Sequence, residues 1–167
     1  MGSFDIFAEE CNKHMMEEIE SILAEMQGKE FCSIGLITTD DLYGFYLTWN
    51  DRNNIGEFYD WENGSNPTFL YQPVVDVVDA HKEIDFCSPN EEKWNFAVKI
   101  LKVLGDSIKN LPEDLYKKYG YERKDVLYFA TMGDGDYMVE MMRNSLELFN
   151  TEETIEKYGI DVNSLFC

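Results

Sequence analysis

Apolar residues recur at three- and four-residue steps along the opening of the chain (Phe4, Phe7, Ala8, Cys11, Met15, Ile19, Ile22, Leu23, Met26), and glutamates fill most of the positions between them. That period belongs to a helix with one buried face, so a helix is expected over residues 3–27, with Gly28 just past its C-terminus. The pattern then changes. Phe31 to Thr38 and Tyr43 to Trp49 are β-branched and aromatic, with Asp40 and Asp41 between them and Gly44 at the start of the second run, which predicts a hairpin. Its second strand alternates, Phe45, Leu47 and Trp49 on one face and Tyr46 and Thr48 on the other, so the sheet is at least half buried.

From Asn50 to Asn66 neither period persists, and this stretch is expected to be a structured loop. Phe69 to His81 holds a short element whose four valines fit helix or strand equally well. Ser88, Pro89 and Glu91 read as N-cap, first and third positions of a helix running to about Lys109 and burying Trp94, Ala97, Val98, Leu101, Leu104 and Ile108. Pro112 opens a shorter helix that ends near Gly120. Val126 to Met132 is a third strand, Gly133 to Asp136 a turn, Tyr137 to Phe149 a helix, and Thr151 caps a last short one. This order predicts a single α+β domain over residues 1–167, an antiparallel sheet built on a hairpin and covered by amphipathic helices.

Composition narrows the function. Hydrophobic residues make up 44% of the chain and aromatic residues 14%, enough for a folded core. Against 14 Lys and Arg stand 33 Asp and Glu, a formal charge of −19. Such a surface repels phosphates, which argues against direct nucleic-acid binding and against adsorption to anionic membranes. Residues 1–87 carry 18 acids and 4 bases, whereas residues 88–125 carry 7 and 8, so the excess lies mostly outside the central helices. The charge is either solubilising surface or a field that steers a basic protein partner. The opening residues contain no secretory leader and no apolar run approaches a bilayer's thickness. The four cysteines lack close-pair spacing. The expectation is a cytoplasmic protein with reduced thiols.

Candidate chemistry is sparse. No serine or cysteine sits in a nucleophile elbow, and no phosphate-cradling glycine loop or paired-cysteine motif occurs. Asp134, Asp136 and Glu140 form a conceivable acidic metal site for a small metal-assisted hydrolase, but Asp-Gly is first of all turn chemistry. His14 and His81 are far apart in sequence and read as structural. No cofactor is expected. The stronger candidates are partner-binding: the loop aromatics Trp49, Phe58, Tyr59 and Trp61, with Asp51 and Asp60 beside them, as interface anchors, and Glu17 and Glu20 of the first helix as part of an acidic face.

Three segments carry a resemblance: the hairpin GKEFCSIGLITTDDLYGFYLTWN after the acidic helix, the SPNEEKW helix start, and the closing ERKDVLYFATMGDGDYMVEMMRNSLELFN. Over about residues 3–150 the chain resembles a bacterial family catalogued as domain of unknown function 4303 and, more loosely, small acidic immunity proteins that neutralise secreted toxins. The resemblance brings no catalytic motif. It implies a non-enzymatic protein-binding domain, an immunity protein whose acidic surface covers a basic toxin, a nuclease among the candidates. The alternatives are the hydrolase above and a regulatory adaptor.

Overall fold

The computed structural model describes residues 2–53 and 63–164. The first helix, α1 (Ser3–Met26), buries Phe7, Cys11, Met15, Ile19, Ile22, Leu23 and Met26, the stripe read from the sequence. It stops at Gly28, whose φ of +92° a side chain would strain. The Tyr121 hydroxyl donates to the carbonyl of Met26, so one of the acceptors left over at the helix end is satisfied.

Strands β1 (Cys32–Thr38) and β2 (Phe45–Asn50) form the expected antiparallel hairpin, with Leu36 opposite Leu47 and Ile34 opposite Trp49. A third strand, β3 (Asn63–Ser65), arises from within the stretch read as loop and pairs with β2. The valine-rich segment resolves as a short 3-10 turn (Thr68–Leu70) and helix α2 (Gln72–Asp79), which buries all four valines. Helix α3 (Glu91–Lys109) starts two residues later than Ser88 suggests. Its cap is Asn90, whose side chain accepts from the Lys93 amide at 2.8 Å. Trp94 and Val98 are only half-buried, because the inward face is built on Phe96, Ala97, Ile100, Leu101, Leu104 and Ile108. Helix α4 (Glu113–Lys118), strand β4 (Val126–Met132), helix α5 (Met138–Phe149) and helix α6 (Glu152–Lys157) complete the chain.

The fold is α+β, and the sheet order is β3-β2-β1-β4. It is mostly antiparallel, as the sequence predicts, and β4 joins β1 in parallel at one margin. A parallel pair needs a long crossover, here everything from β2 to α4, and no short-range sequence signal announces it. One sheet face carries Ile34, Leu36, Leu47, Tyr128 and Ala130 into the main core with α1, α2 and α3. The other face carries Ile37, Leu127 and Phe129 against Met142, Leu146 and Tyr158. A Cβ on Gly35 would stand 2.9 Å from the Phe129 ring, so glycine there lets the ring lie on the strand.

Strand β4 is an edge strand, and side chains of α5 and its C-cap close that edge. The Asn150 carbonyl oxygen accepts from the Tyr128 amide at 2.9 Å, and its amide nitrogen donates to the Tyr128 carbonyl at 2.6 Å and to the Leu146 carbonyl at 3.0 Å. One side-chain amide thus does for Tyr128 what a neighbouring strand would do. Two residues on, the Ser145 hydroxyl accepts from the Ala130 amide at 2.7 Å, with the carbonyls of Met142 and Ala130 at 2.9 and 3.1 Å as acceptors for its proton. Arg123 donates to the Val126 carbonyl at 3.0 Å and to that of Phe149, its guanidinium lying 4.7 Å from the centre of the Tyr128 ring. Below that ring the buried hydroxyls of Tyr116 and Tyr128 meet at 3.0 Å.

Replacing Asn150 by Leu strands a buried N–H and C=O together and should cost about 2–5 kcal/mol in urea unfolding. Asn150→Asp keeps the acceptor but turns a carboxylate oxygen on the Tyr128 and Leu146 carbonyls, so its deficit should grow as pH rises through the carboxylate range. A loss below about 0.5 kcal/mol for the leucine variant would mean that Asn150 does not hold this edge.

Candidate interaction surface

The connection from β1 to β2 is a tight, strained turn. Leu42 has φ +61°, unusual for a branched side chain, and is fully buried, so burial offsets the backbone strain. The Thr39 hydroxyl donates to the Asp41 carboxylate and accepts from the Tyr43 amide at 3.1 Å, and the Thr38 hydroxyl donates to the Gly44 carbonyl at 2.7 Å. Turning Leu42 inward turns Tyr43 outward, where it is 41% exposed. Gly44, at φ +95°, is needed twice: a Cβ there would also meet the Tyr71 ring at 2.9 Å. Tyr71 thus rests on the turn's backbone and keeps 52% of its surface exposed.

Helix α2 puts Asp76 and Asp79 on the exposed side of its valine face. The negative charge of Asp79 is the main reason the Tyr43 phenol is pushed up from its ordinary value, with partial burial, the neighbouring Tyr71 and the charge of Asp41 adding to it. Tyr43 therefore stays protonated and is a hydrogen-bond donor. Beside Tyr71 lies an open groove of about 340 Å³ lined by Asn66, Thr68, Tyr71 and Gln72, and Gln72 donates to Asp76 at 2.8 Å. Exposed tyrosine is a residue type enriched at protein interfaces relative to ordinary surface.

The residues singled out from the sequence fall elsewhere. Phe58, Tyr59, Asp60 and Trp61 lie outside the described residues. Trp49 is 8% exposed and belongs to the main core, so it offers a partner no surface, and its indole N–H has no hydrogen-bond partner among the described residues. Asp51 is half-exposed and pairs with Lys29 at 3.4 Å. Glu17 is exposed on α1. Glu20 is engaged within the chain, with Lys118 Nζ at 2.6 Å and the Tyr119 hydroxyl at 2.8 Å, and so ties α1 to α4. The hydrogen bonds from Lys118 and then Tyr119 hold its carboxyl below the ordinary value.

Asp134, Asp136 and Glu140 are exposed, and among the described residues no group of three or more acidic, histidine or cysteine side chains gathers to hold a metal ion. Their turn has a different neighbour. Asp40 lies against Gly135, and its carboxylate is 3.4 Å from the amine of Lys93, which is fully buried at the start of α3. This latch joins the ends of β1, β4 and α3. His14 pairs with Glu10 at 3.2 Å, and the His81 ring sits edge-on to Phe4 and Phe96, so both histidines are built into the packing. Cys11 and Cys32 are buried free thiols; burial pushes Cys32 up to about 12, which keeps it an unreactive small hydrophobe.

Sequence reasoning missed Tyr43, Tyr71, Asp76 and Asp79. The available signal was the Tyr-Gly pair at the strand junction and the acids spaced three apart across a run of valines, but it needs the turn and α2 in contact to acquire meaning. No family model matches the chain, and no curated protein or solved structure is detectably similar to it.

Two measurements follow from these placements. Trp49→Phe removes an indole N–H that has no partner among the described residues and keeps most of the packed ring, so the melting temperature should stay within a few degrees of the parent's; a Trp49→Ala variant should lose about 3–5 kcal/mol. Equal, small losses for both would take Trp49 out of the core. For Glu20, a carboxyl lowered in the folded state contributes stability that is present above its ordinary value of 4.5 and lost as pH falls through the folded value. Glu20→Gln should therefore melt lower than the parent at neutral pH, and the two curves should converge as pH falls below the ordinary carboxylate range. A gap that persists or widens in acid would contradict the assigned ion pair.

Proposed function

We propose that this chain is a binding protein that holds a basic protein partner on the corner made by the β1–β2 turn and α2. The observation that carries the reading is the conjunction of exposed Tyr43 and Tyr71 with Asp41, Asp76 and Asp79, on a chain of net charge −19. Tyrosines supply large contact area at low entropic cost, and the carboxylates supply attraction that speeds encounter with a positive surface. Together with the resemblance to small acidic immunity proteins, this makes neutralisation of a basic toxin in the bacterial cytosol the role these features favour. Among the described residues no helix is long and apolar enough to cross a membrane, in keeping with a partner met in solution.

The test is co-expression with the product of the adjacent gene and surface plasmon resonance on the purified pair. The association rate should fall steeply with rising salt, since attraction between exposed charges is screened over about 8 Å at physiological ionic strength. Reversing Asp76 and Asp79 to Lys should slow association at least tenfold, and reversing Glu152 and Glu153 should do less. A salt-independent rate, or equal effects at the two places, would leave the acidity as solubilising surface and sink the proposal.

A further inference from the structure

We propose that the groove beside Tyr71 is the seat of an arginine side chain from the partner, stacked on the Tyr71 ring and paired with the Asp76 carboxylate. The inference rests on the reading just given and specifies its chemistry. The argument begins with Gly44. Because nothing but backbone stands at that position, the Tyr71 ring is supported from below at 2.9 Å from where a Cβ would be, and it stays 52% exposed. A supported, exposed ring is a stacking platform.

The groove beside it presents mainly apolar atoms, from Asn66, Thr68, Tyr71 and Gln72, and suits an aliphatic stem. Negative charge stands at its border. Asp76 is bound at 2.8 Å by Gln72, which lines the groove, and Asp79 lies about one turn later on the exposed side of the same helix. The Gln72 amide holds the Asp76 carboxylate in place without neutralising it.

An occupant must therefore combine an apolar stem, a cationic end and a face that stacks. Arginine meets all three demands; lysine is a strongly hydrated point charge that gains less from a ring and cannot bind a carboxylate through two parallel hydrogen bonds. A second copy of this chain brings the same negative charge and is repelled. An apolar peptide leaves the carboxylates unused.

The experiment titrates the full chain with a blocked pentapeptide carrying two arginines between glycines, and with its lysine counterpart, following backbone and tyrosine-ring resonances. The arginine peptide should shift Tyr43, Tyr71 and the Asp76 to Asp79 amides at concentrations about 3- to 5-fold lower than the lysine peptide. Tyr71→Phe should keep this preference. Tyr71→Ala should abolish it, with a thermal melt confirming the fold. Asp76→Asn should weaken both peptides. Equal affinities, or shifts gathered on α6 instead, overturn the arginine seat. If, in addition, the salt-dependent association with the adjacent gene's product is absent, the binding-protein reading falls with it; if that association persists, only the seat is wrong.

Discussion

The pairing of the Asn150 side-chain amide with both peptide groups of Tyr128 is the contact on which the arrangement of this domain depends. A four-stranded sheet with β4 at its margin would otherwise end in a row of open donors and acceptors, a template for aggregation. Asn150 and Ser145 close the row from α5 and its C-cap, and in doing so they set the helix alongside the strand. Met141 and Phe149 then reach the main core, and Met142 and Leu146 reach the core on the opposite face. The amide bridge is local, but it decides which side of the sheet each residue of α5 serves. Elsewhere the Tyr158 hydroxyl, at the C-cap of α6, joins the starts of β1 and β4, accepting from the Cys32 amide at 3.0 Å with the Asp125 carbonyl 2.7 Å away.

With the β4 margin sealed, the proposed contact with a basic partner falls to surface elsewhere. At the start of β2 the chain accepts an unfavourable backbone conformation at Leu42, buries that side chain, and turns Tyr43 out beside Tyr71 and the acids of α2. Strain held by packing is a common way to fix a binding surface before the partner arrives, and a preformed surface loses less entropy on association. The buried Lys93 contributes in the same region: it holds Asp40 at the end of β1, so the turn starts from an anchored strand. A buried amine with one carboxylate partner is an expensive element, justified more by the position it enforces than by net stability.

Much of this was legible in the chain. The α1 stripe and the limits of β4 follow from hydrophobic period and from flanking Asp and Gly, because both are local properties. The start of α3 was misplaced by two residues since Ser88, Pro89 and Asn90 are all good capping chemistry, and only geometry selects Asn90. Trp49 read as an anchor because it borders a polar loop, yet its alternation with Leu47 and Phe45 already set it on the buried face. Asn150 carried no signal at all: a polar residue after a helix looks like any terminus until the strand it pairs with is beside it. The same holds for Tyr43 and Tyr71, which become one surface only through a contact between segments nearly thirty residues apart.

Amide hydrogen exchange tests the edge closure most directly. The amides of Tyr128 and Ala130 point away from β1 and are held only by side chains. If Asn150 and Ser145 act as a surrogate strand, these two should exchange as slowly as the amides of central β1, through global unfolding alone. Exchange faster by orders of magnitude, with β1 still protected, would show an edge that opens on its own and would contradict the account.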